Sequence, residues 1–422
     1  MRSAIRRLGR LEVRTLRNFW RELPLKPQGI VIVLAGFLPM IAIVAMGPAV
    51  PTLIAHFAND PDARAQVPAL IGAPGLTMAI LAPFSGLLID RFGRRRLVLL
   101  ATALYTIFGT APLFLDTLDQ IYTSRLLLGI SEAGILTVVN TLIADYWDDK
   151  GRKNWLFLQS LVGPLFAGVI ALIVGEVSTL QWNGVFFIYF AAIPVWAAMF
   201  VWLFEPENAD VEEPAARQEE PAARKAVPLG AFPWGSAALT AFVTFIAAML
   251  YYVFIINGAL VFAEVGVTEP DRYAQMIFVP QIFFLMGAVL FRILANRSYP
   301  LQLGVFFALL GAGLAAIGLA DTPTAMAAGV VVQQIAAGMA VPTLLSWTQS
   351  KFDFGQRGRG MGIWTAAFFL AQSQSPRLVH ILDQSTGSMK NAFLTAGIVG
   401  IVVGVIGLMI ALSLRKPRQS NA

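Results

Sequence analysis

The chain has 422 residues, 57% hydrophobic and only 13% charged, whereas a soluble domain carries about 25% charged residues; lipid is therefore the solvent to consider. It contains no cysteine, which excludes disulfides, thiol catalysis and cysteine-ligated metals. The formal net charge of +6 reads, in a membrane protein, as arginine and lysine retained on the cytoplasmic side and not as a nucleic-acid footprint.

The first 29 residues hold Arg2, Arg6, Arg7, Arg10, Arg14, Arg17, Arg21 and Lys26, with Leu8, Leu11, Leu16, Phe19 and Trp20 between them. This is either a basic amphipathic segment lying on an anionic leaflet or a solvated basic tail. No cleavable signal peptide is apparent. Twelve apolar stretches of spanning length follow, at about 30–57, 67–89, 96–115, 120–146, 154–176, 185–204, 233–263, 273–294, 300–320, 324–350, 360–383 and 391–414; a spanning helix needs ~20 such residues. Residues 205–232 are rich in Pro, Ala and charge, with little core of their own, and read as a linker. The expected organisation is a basic segment (1–29), a six-helix bundle (30–204), the linker (205–232), a second six-helix bundle (233–414) and a tail (415–422).

Orientation follows from the cations. With a cytoplasmic N-terminus, the cytoplasmic stretches collect the N-terminal set, Arg91–Arg96, Lys150/Arg152/Lys153, Arg217/Arg224/Lys225, Arg292/Arg297, Lys351/Arg357/Arg359 and Arg415/Lys416/Arg418. The other side has only Arg64, Arg272 and Lys390. The opposite topology would invert this asymmetry, so both termini are expected in the cytoplasm. The halves also echo one another: Phe157-Leu-Gln-Ser-Leu-Val-Gly163-Pro164 in the fifth span lines up with Phe369-Leu-Ala-Gln-Ser-Gln-Ser375-Pro376 in the eleventh. Repeats of this kind are the trace of transporter pseudo-symmetry, with a binding site between the halves at the midplane.

Between the second and third spans lies Gly86-Leu-Leu-Ile-Asp90-Arg91-Phe-Gly93-Arg94-Arg95-Arg96, a tight charged loop at the membrane surface. Its arginines enforce topology, but Asp90 contributes nothing to topology and points to a second role. On the fourth span, Arg125 and Glu132 are seven residues apart and share a helix face, about 10 Å apart along the axis. Ionisable groups inside a span are costly and default to functional hypotheses. Glu132, near mid-membrane, is the first candidate for a proton-carrying carboxyl; the alternative is a structural carboxylate bonded to a neighbouring helix. Arg125 either contacts an anionic substrate or modulates Glu132, or else it snorkels to the interface. Arg377, His380 and Asp383 step by three along the eleventh span. They form either a proton relay or anion site, or an interfacial ion cluster that fixes the helix end.

Gly163 and Pro164 are expected to kink or thin the fifth span, with Gly168 allowing close helix approach. Tyr251, Tyr252, Asn257, Gln333, Gln334 and Trp347 are candidate cavity residues, although packing or lipid contact is the commoner fate of an aromatic. His56 and His380 make no metal-ligand spacing, and His56 is read as interfacial. The run Gly129-Ile-Ser131-Glu132-Ala133 falls short of a nucleophile elbow: its last position is alanine, it lies in an apolar helix, and no histidine is near. No enzyme activity, cofactor or metal is implied, and no nucleotide-binding loop is present.

The loop at Gly86, Leu88, Asp90, Arg91, Gly93, Arg94 and Arg95 resembles the signature G-x-L-a-D-r-x-G-r-k of the major facilitator superfamily, in the place that family puts it. Arg125-Leu-Leu-Leu-Gly129 is similar to its fourth-span motif. Gly163-Pro164-Leu-Phe-Ala167-Gly168 resembles the fifth-span motif of its proton-linked exporters, G-x-x-x-G-P-x-x-G-G, with Gln159 in place of the first glycine and Ala167 in place of a later one. The fourth span from Gly129 to Trp147 is also similar to that of organic-anion symporters and spinster-type lipid transporters. The resemblance implies an all-α polytopic fold of two pseudo-symmetric six-helix bundles, with spans one, four, seven and ten lining a cavity. It implies alternating access, and places Asp90 against the start of the eleventh span near Gly358–Met361, where with Arg94 or Arg95 it would latch the halves together. In the second half, Phe291 stands where the matching acid would be.

The expected function is secondary transport in the inner or plasma membrane by a monomer, driven by protons. The first reading is export of a hydrophobic or amphipathic small molecule. The alternative, favoured by Arg125 and Arg377, is symport of an organic anion or other small solute. A polytopic enzyme or a non-transporting receptor lacks, respectively, a catalytic constellation and an output domain.

Overall fold

The computed structural model describes residues 26–84, 93–147, 149–205, 231–353 and 356–414. Gly86, Asp90 and Arg91, and with them the expected latch, lie outside the described residues, as do most of the linker and both chain ends.

Among the described residues, eleven helices are long and apolar enough to cross a membrane. They are α1 (Pro27–His56), α2 (Ala63–Phe84), α3 (Arg94–Phe114), α4 (Leu118–Ile143, helical on to Tyr146), α5 (helical over Asp149–Leu180), α6 (Gly184–Trp202), α7 (Trp234–Ala263), α8 (Pro270–Leu294), α9 (Tyr299–Leu319), α10 (Pro323–Gln349) and α12 (Met389–Ser413). The twelfth, α11 (Arg357–Thr386), is 30 residues long but carries Arg357, Arg359, Gln372, Gln374, Arg377, His380 and Asp383, too polar a set to count by hydropathy. It is nonetheless a full-length member of the bundle, buried along Trp364, Phe368, Ala371, Ser375 and Val379. The protein is an all-α, multi-pass membrane protein whose α1–α6 and α7–α12 form two six-helix bundles.

Short connections make successive helices antiparallel. One end of the bundle therefore gathers the start of α1 and the α2–α3, α4–α5 and α10–α11 links, where the cations concentrate; it is the basic face. The other end is the opposite face.

Prolines set the irregularities. α1 is interrupted at Ala45, because the Pro48 ring crowds the carbonyl of Val44, four residues back, and offers no N–H to it. α8 breaks at Phe283, just past Pro280, into Pro270–Ile282 and Phe284–Leu294. Pro164 bends no break into α5, which stays one helix.

Glycines decide how closely helices meet. α9 and α12 are in backbone contact: a side chain at Gly304 would meet Leu408 N at 2.7 Å, one at Gly311 the Gly397 carbonyl at 2.6 Å, and one at Gly400 Gly311 Cα at 2.8 Å. Gly304, Gly311 and Gly318 recur every seven residues, two helical turns, so they fall on one face. Gly287 of α8 and Gly338 of α10 interpenetrate in the same way, Gly338 lying against the Phe284 carbonyl. Between the halves, α2 lies on α11 so closely that a side chain at Gly72 or Gly75 would meet the Gln372 or Phe369 carbonyl at 2.9 or 2.6 Å. The pseudo-symmetric seam pairs α5 with α8, where a side chain at Gly168 would meet Phe278 at 3.0 Å and one at Gly175 would meet Ala274 at 2.9 Å.

Candidate functional site: a charge-free cavity between the halves

The seam of α5 with α8 is tight over Phe278 and Ala274, on the opposite-face side of Pro280. Beyond the break, the second piece of α8 turns onto α10 through the Gly287–Gly338 contact. A cavity of about 750 Å³ lies in the space this leaves. Its wall comes from α1 (Phe37, Met40), α5 (Gln159, Gly163, Pro164, Ala167), α7 (Tyr251, Tyr252, Phe254), α8 (Tyr273, Gln281, Phe284, Phe291) and α10 (Gln334, Gly338, Leu345). Among the described residues, not one lining residue is Asp, Glu, Lys, Arg or His. Polar contact is offered by three amides, Gln159, Gln281 and Gln334, and three phenols, Tyr251, Tyr252 and Tyr273. Gln281 Oε1 is buried with no hydrogen-bond partner among the described residues. Tyr251 and Tyr252 are set by Phe368 of α11, at ring-centroid distances of 6.2 and 5.6 Å, and Phe368 stacks on Trp364 at 5.5 Å.

Of the residues singled out in the sequence, Tyr251, Tyr252, Gln334, Gly163 and Pro164 line this cavity and Gly168 sits at its α5–α8 rim. Asn257 is buried and gives its amide to the Val253 carbonyl of its own helix at 3.2 Å. Gln333 is buried against Gly313 of α9, and neither of its side-chain polar atoms has a partner among the described residues. Neither Asn257 nor Gln333 is part of the wall. The residues missed were Gln159, Gln281, Tyr273, Phe284 and Phe291. Two signals pointed to them: an amide inside an apolar span carries a desolvation cost of its own, smaller than that of a charged group, and Pro280 marks where α8 must open.

Arg125 and Glu132 also lie off the cavity wall. Arg125 is 1% exposed. Its guanidinium donates to the Phe108 and Gly109 carbonyls at 2.7 and 3.0 Å and to the Tyr189 hydroxyl at 2.9 Å. It also sits over the Phe186 and Tyr189 rings at 5.2 and 5.0 Å. The two carbonyls belong to the last turn of the α-helical part of α3, which ends at Thr110 before a short 3-10 stretch; Pro112 offers no N–H to the Phe108 carbonyl, and acceptors at a helix end favour a cation. Arg125 thus ties α4 to α3 and α6 inside the first bundle; it neither snorkels nor faces the cavity. Glu132 is fully buried, and neither carboxyl oxygen has a hydrogen-bond partner among the described residues. No bond to a neighbouring helix holds it.

The stripe on α11 does not form a relay. His380 Nε2 pairs with the Gln384 amide at 3.0 Å. Asp383, 8% exposed, takes an ion pair from Arg64 of α2 at 3.2 Å. Arg377 is exposed on another side of the helix. The Asp383–Arg64 pair joins the two halves at the opposite face. There, too, Glu264 accepts the Met389 and Lys390 amides at the start of α12 at 2.7 and 2.9 Å.

At the basic face, Gly93 has φ +78°, a conformation glycine adopts without strain, and leads into α3. Glu205 accepts the Arg94 and Arg95 amides at 2.7 and 2.8 Å, capping α3 where a carboxylate is favoured. The Arg95 side chain donates to the Leu203 and Phe200 carbonyls at 2.7 and 2.9 Å, and Arg94 pairs with Asp145 of α4 at 3.1 Å. Both arginines therefore have partners within the first bundle.

The sequence model of the Major Facilitator Superfamily matches residues 32–352 and 240–422. The chain belongs to the Major Facilitator Superfamily. That is a superfamily of transporters, and the twelve-helix plan is that superfamily's. The superfamily member is 32% identical over 163 residues to the efflux pump dotC of Dothistroma septosporum (strain NZE10 / CBS 128990), covering 38% of this chain and 27% of the pump. It is 30% identical over 138 residues to the class B tetracycline resistance protein of Escherichia coli, covering 31% of this chain and 33% of that protein. These matches thus span about a third or less of the relatives' own length. The inward-open xylose transporter XylE from E. coli shares the fold, with a TM-score of 0.69 at 15% identity, over 90% of this chain and 94% of that one.

Proposed function

We propose that this transporter exports an uncharged or weakly charged amphipathic small molecule with aromatic character, by alternating access driven by protons. The observation that carries the reading is the cavity wall: about 750 Å³ lined by aromatic and aliphatic groups, three amides and three phenols, with no charged side chain among the described residues. A wall of this kind favours apolar surface with a few hydrogen bonds, and a fully ionised cargo would lose its hydration there without compensation. The partial relatives named as an efflux pump and a tetracycline resistance protein support the direction. The alternative, symport of an organic anion, relied on Arg125 and Arg377, and neither lines the cavity.

Glu132 is our candidate for the proton carrier, since a proton would satisfy a buried carboxyl that has no other partner. Gln159, Gln281 and Gln334 orient the cargo, and Tyr251 and Tyr252 stack on it. The basic face is cytoplasmic by the positive-inside rule, so both termini are cytoplasmic and the membrane is the inner or plasma membrane. The working unit is a monomer. The test is uptake of a neutral aromatic dye into proteoliposomes in which the basic face points outward, with and without an acidic lumen. The reading expects accumulation that collapses with the gradient; accumulation indifferent to the gradient would overturn the coupling, and none in that direction would overturn export.

A further inference from the structure

Four of the exposed residues of α11 fall on one stripe. Leu370, Arg377, Ile381 and Gln384 are all exposed, and at 100° per residue they lie within about 60° of one another around the helix. Leu370 and Ile381 are 38% and 53% exposed, which in a membrane protein is contact with lipid. The other sides of α11 are occupied: Gln372 and Asp383 face α2, and Ser375 donates to the Met249 carbonyl of α7. Arg377 therefore projects from the lipid-facing side, and it has no hydrogen bond or ion pair among the described residues.

Its depth makes this costly. A 30-residue helix is about 45 Å long, and the hydrocarbon core is about 30 Å thick. Arg377 is nine residues from the end of α11 at Thr386, about 14 Å. With the helix centred, its Cα lies roughly 6 Å inside the hydrocarbon. Side chains in a helix lean toward the N-terminus, here away from the near surface, so the guanidinium is poorly placed to lift itself into water. Toward that surface the next turns carry the His380–Gln384 pair, a polar step between Arg377 and the headgroup region.

We propose that Arg377 anchors the phosphate of an anionic phospholipid in the leaflet at the opposite face. The phosphate is drawn down the His380–Gln384 step to the planar fork of the guanidinium, whose geometry suits bidentate phosphate binding. Its acyl chains lie along Leu370 and Ile381. The lipid so held sits on the helix that carries Asp383, and is placed to steady the Asp383–Arg64 contact between the halves.

The test is thermal unfolding of purified full-length protein in detergent. Phosphatidylglycerol, phosphatidylcholine or inorganic phosphate is added to wild type, Arg377→Gln and, as a control cation at the same face, Arg272→Gln. Wild type and Arg272→Gln are expected to show a larger upward shift with phosphatidylglycerol than with phosphatidylcholine, and Arg377→Gln to show equal shifts with both. A phosphatidylglycerol-specific shift that survives in Arg377→Gln overturns the proposal. So does a wild-type shift that inorganic phosphate reproduces, which would mark an aqueous anion site. If the glutamine variant does not fold, Arg377→Lys serves, since a point charge without the fork is expected to show a smaller specific shift; an unchanged shift overturns the proposal.

Discussion

Replacing Arg125 with methionine removes the guanidinium while keeping a long apolar side chain of similar reach. Three acceptors then lose a donor in a site closed to water: the Phe108 and Gly109 carbonyls and the Tyr189 hydroxyl. A buried group left unsatisfied costs about 1–3 kcal/mol, and the carbonyls cannot turn elsewhere because they end α3. The tyrosine hydroxyl can rotate, so its share is at the low end. Loss of the charge over the Phe186 and Tyr189 rings adds about 1 kcal/mol. The total is about 4–8 kcal/mol, offset by about 1–2 kcal/mol for burying apolar methionine in place of a desolvated cation. The net expectation is a loss of about 2–7 kcal/mol, several degrees or more in the midpoint for a chain of this size. Because such unfolding is commonly irreversible, the assay is the half-life at a fixed temperature in detergent, read beside the scan. Tyr189→Phe removes one of the three bonds and should cost about 1 kcal/mol. Cargo affinity, measured at a temperature where both proteins are folded, should be unchanged in Arg125→Met. A variant with wild-type thermal stability and lost cargo binding would refute the structural role and return Arg125 to the cargo site.

Three further outcomes follow from the contacts. Gly311→Val places branched carbons against Gly397 and Gly400 across α9 and α12 and should cost about 3 kcal/mol or more, whereas Gly235→Ala, with nothing within 4 Å, should be neutral or stabilising by up to about 1 kcal/mol; paired melting curves decide it. Glu132→Gln should retain cargo binding and lose proton-driven accumulation, and normal accumulation in that variant would remove Glu132 as the carrier. The hydrogen bond and charge of Lys390 hold the Asp321 carboxyl below the usual carboxylate value. A lowered folded-state value means the pair contributes above the unfolded pKa of about 3.9 and is lost as pH falls through the folded value. Asp321→Asn should therefore melt slightly below wild type at pH 7 and together with it once the pH lies below the folded value, and an equal difference at both would contradict the assignment.

Much of the fold was legible because lipid leaves a long apolar run few alternatives. Even α11, too polar to pass on hydropathy, was readable from its length and flanking cations. The regular spacing of Gly304, Gly311 and Gly318 was there to be read as well, as the mark of a close helix pair. What sequence spacing could not supply were partners brought together by packing. Arg125 stood out as a buried charge, but its role depends on the end of α3 and on Tyr189, which no periodicity on α4 reveals. Asp383 looked like part of a stripe with Arg377 and His380; residues three apart on a helix diverge by about 60°, enough here to point one at α2 and another at lipid. Gln159 read as a departure from an exporter motif, and it is a cavity residue. Glu205, at the edge of a polar linker, gave no sign that it caps α3.

The central claim is that a cavity without charged groups selects uncharged amphipathic cargo. The most direct measurement is the pair of affinities, by equilibrium binding to purified protein, for one neutral aromatic compound and for its carboxylate analogue of matched size. The account predicts that the neutral compound binds at least about tenfold more tightly, a difference of about 1.4 kcal/mol, and that Gln281→Leu weakens it. A carboxylate bound as tightly as the neutral compound, or more so, would contradict it.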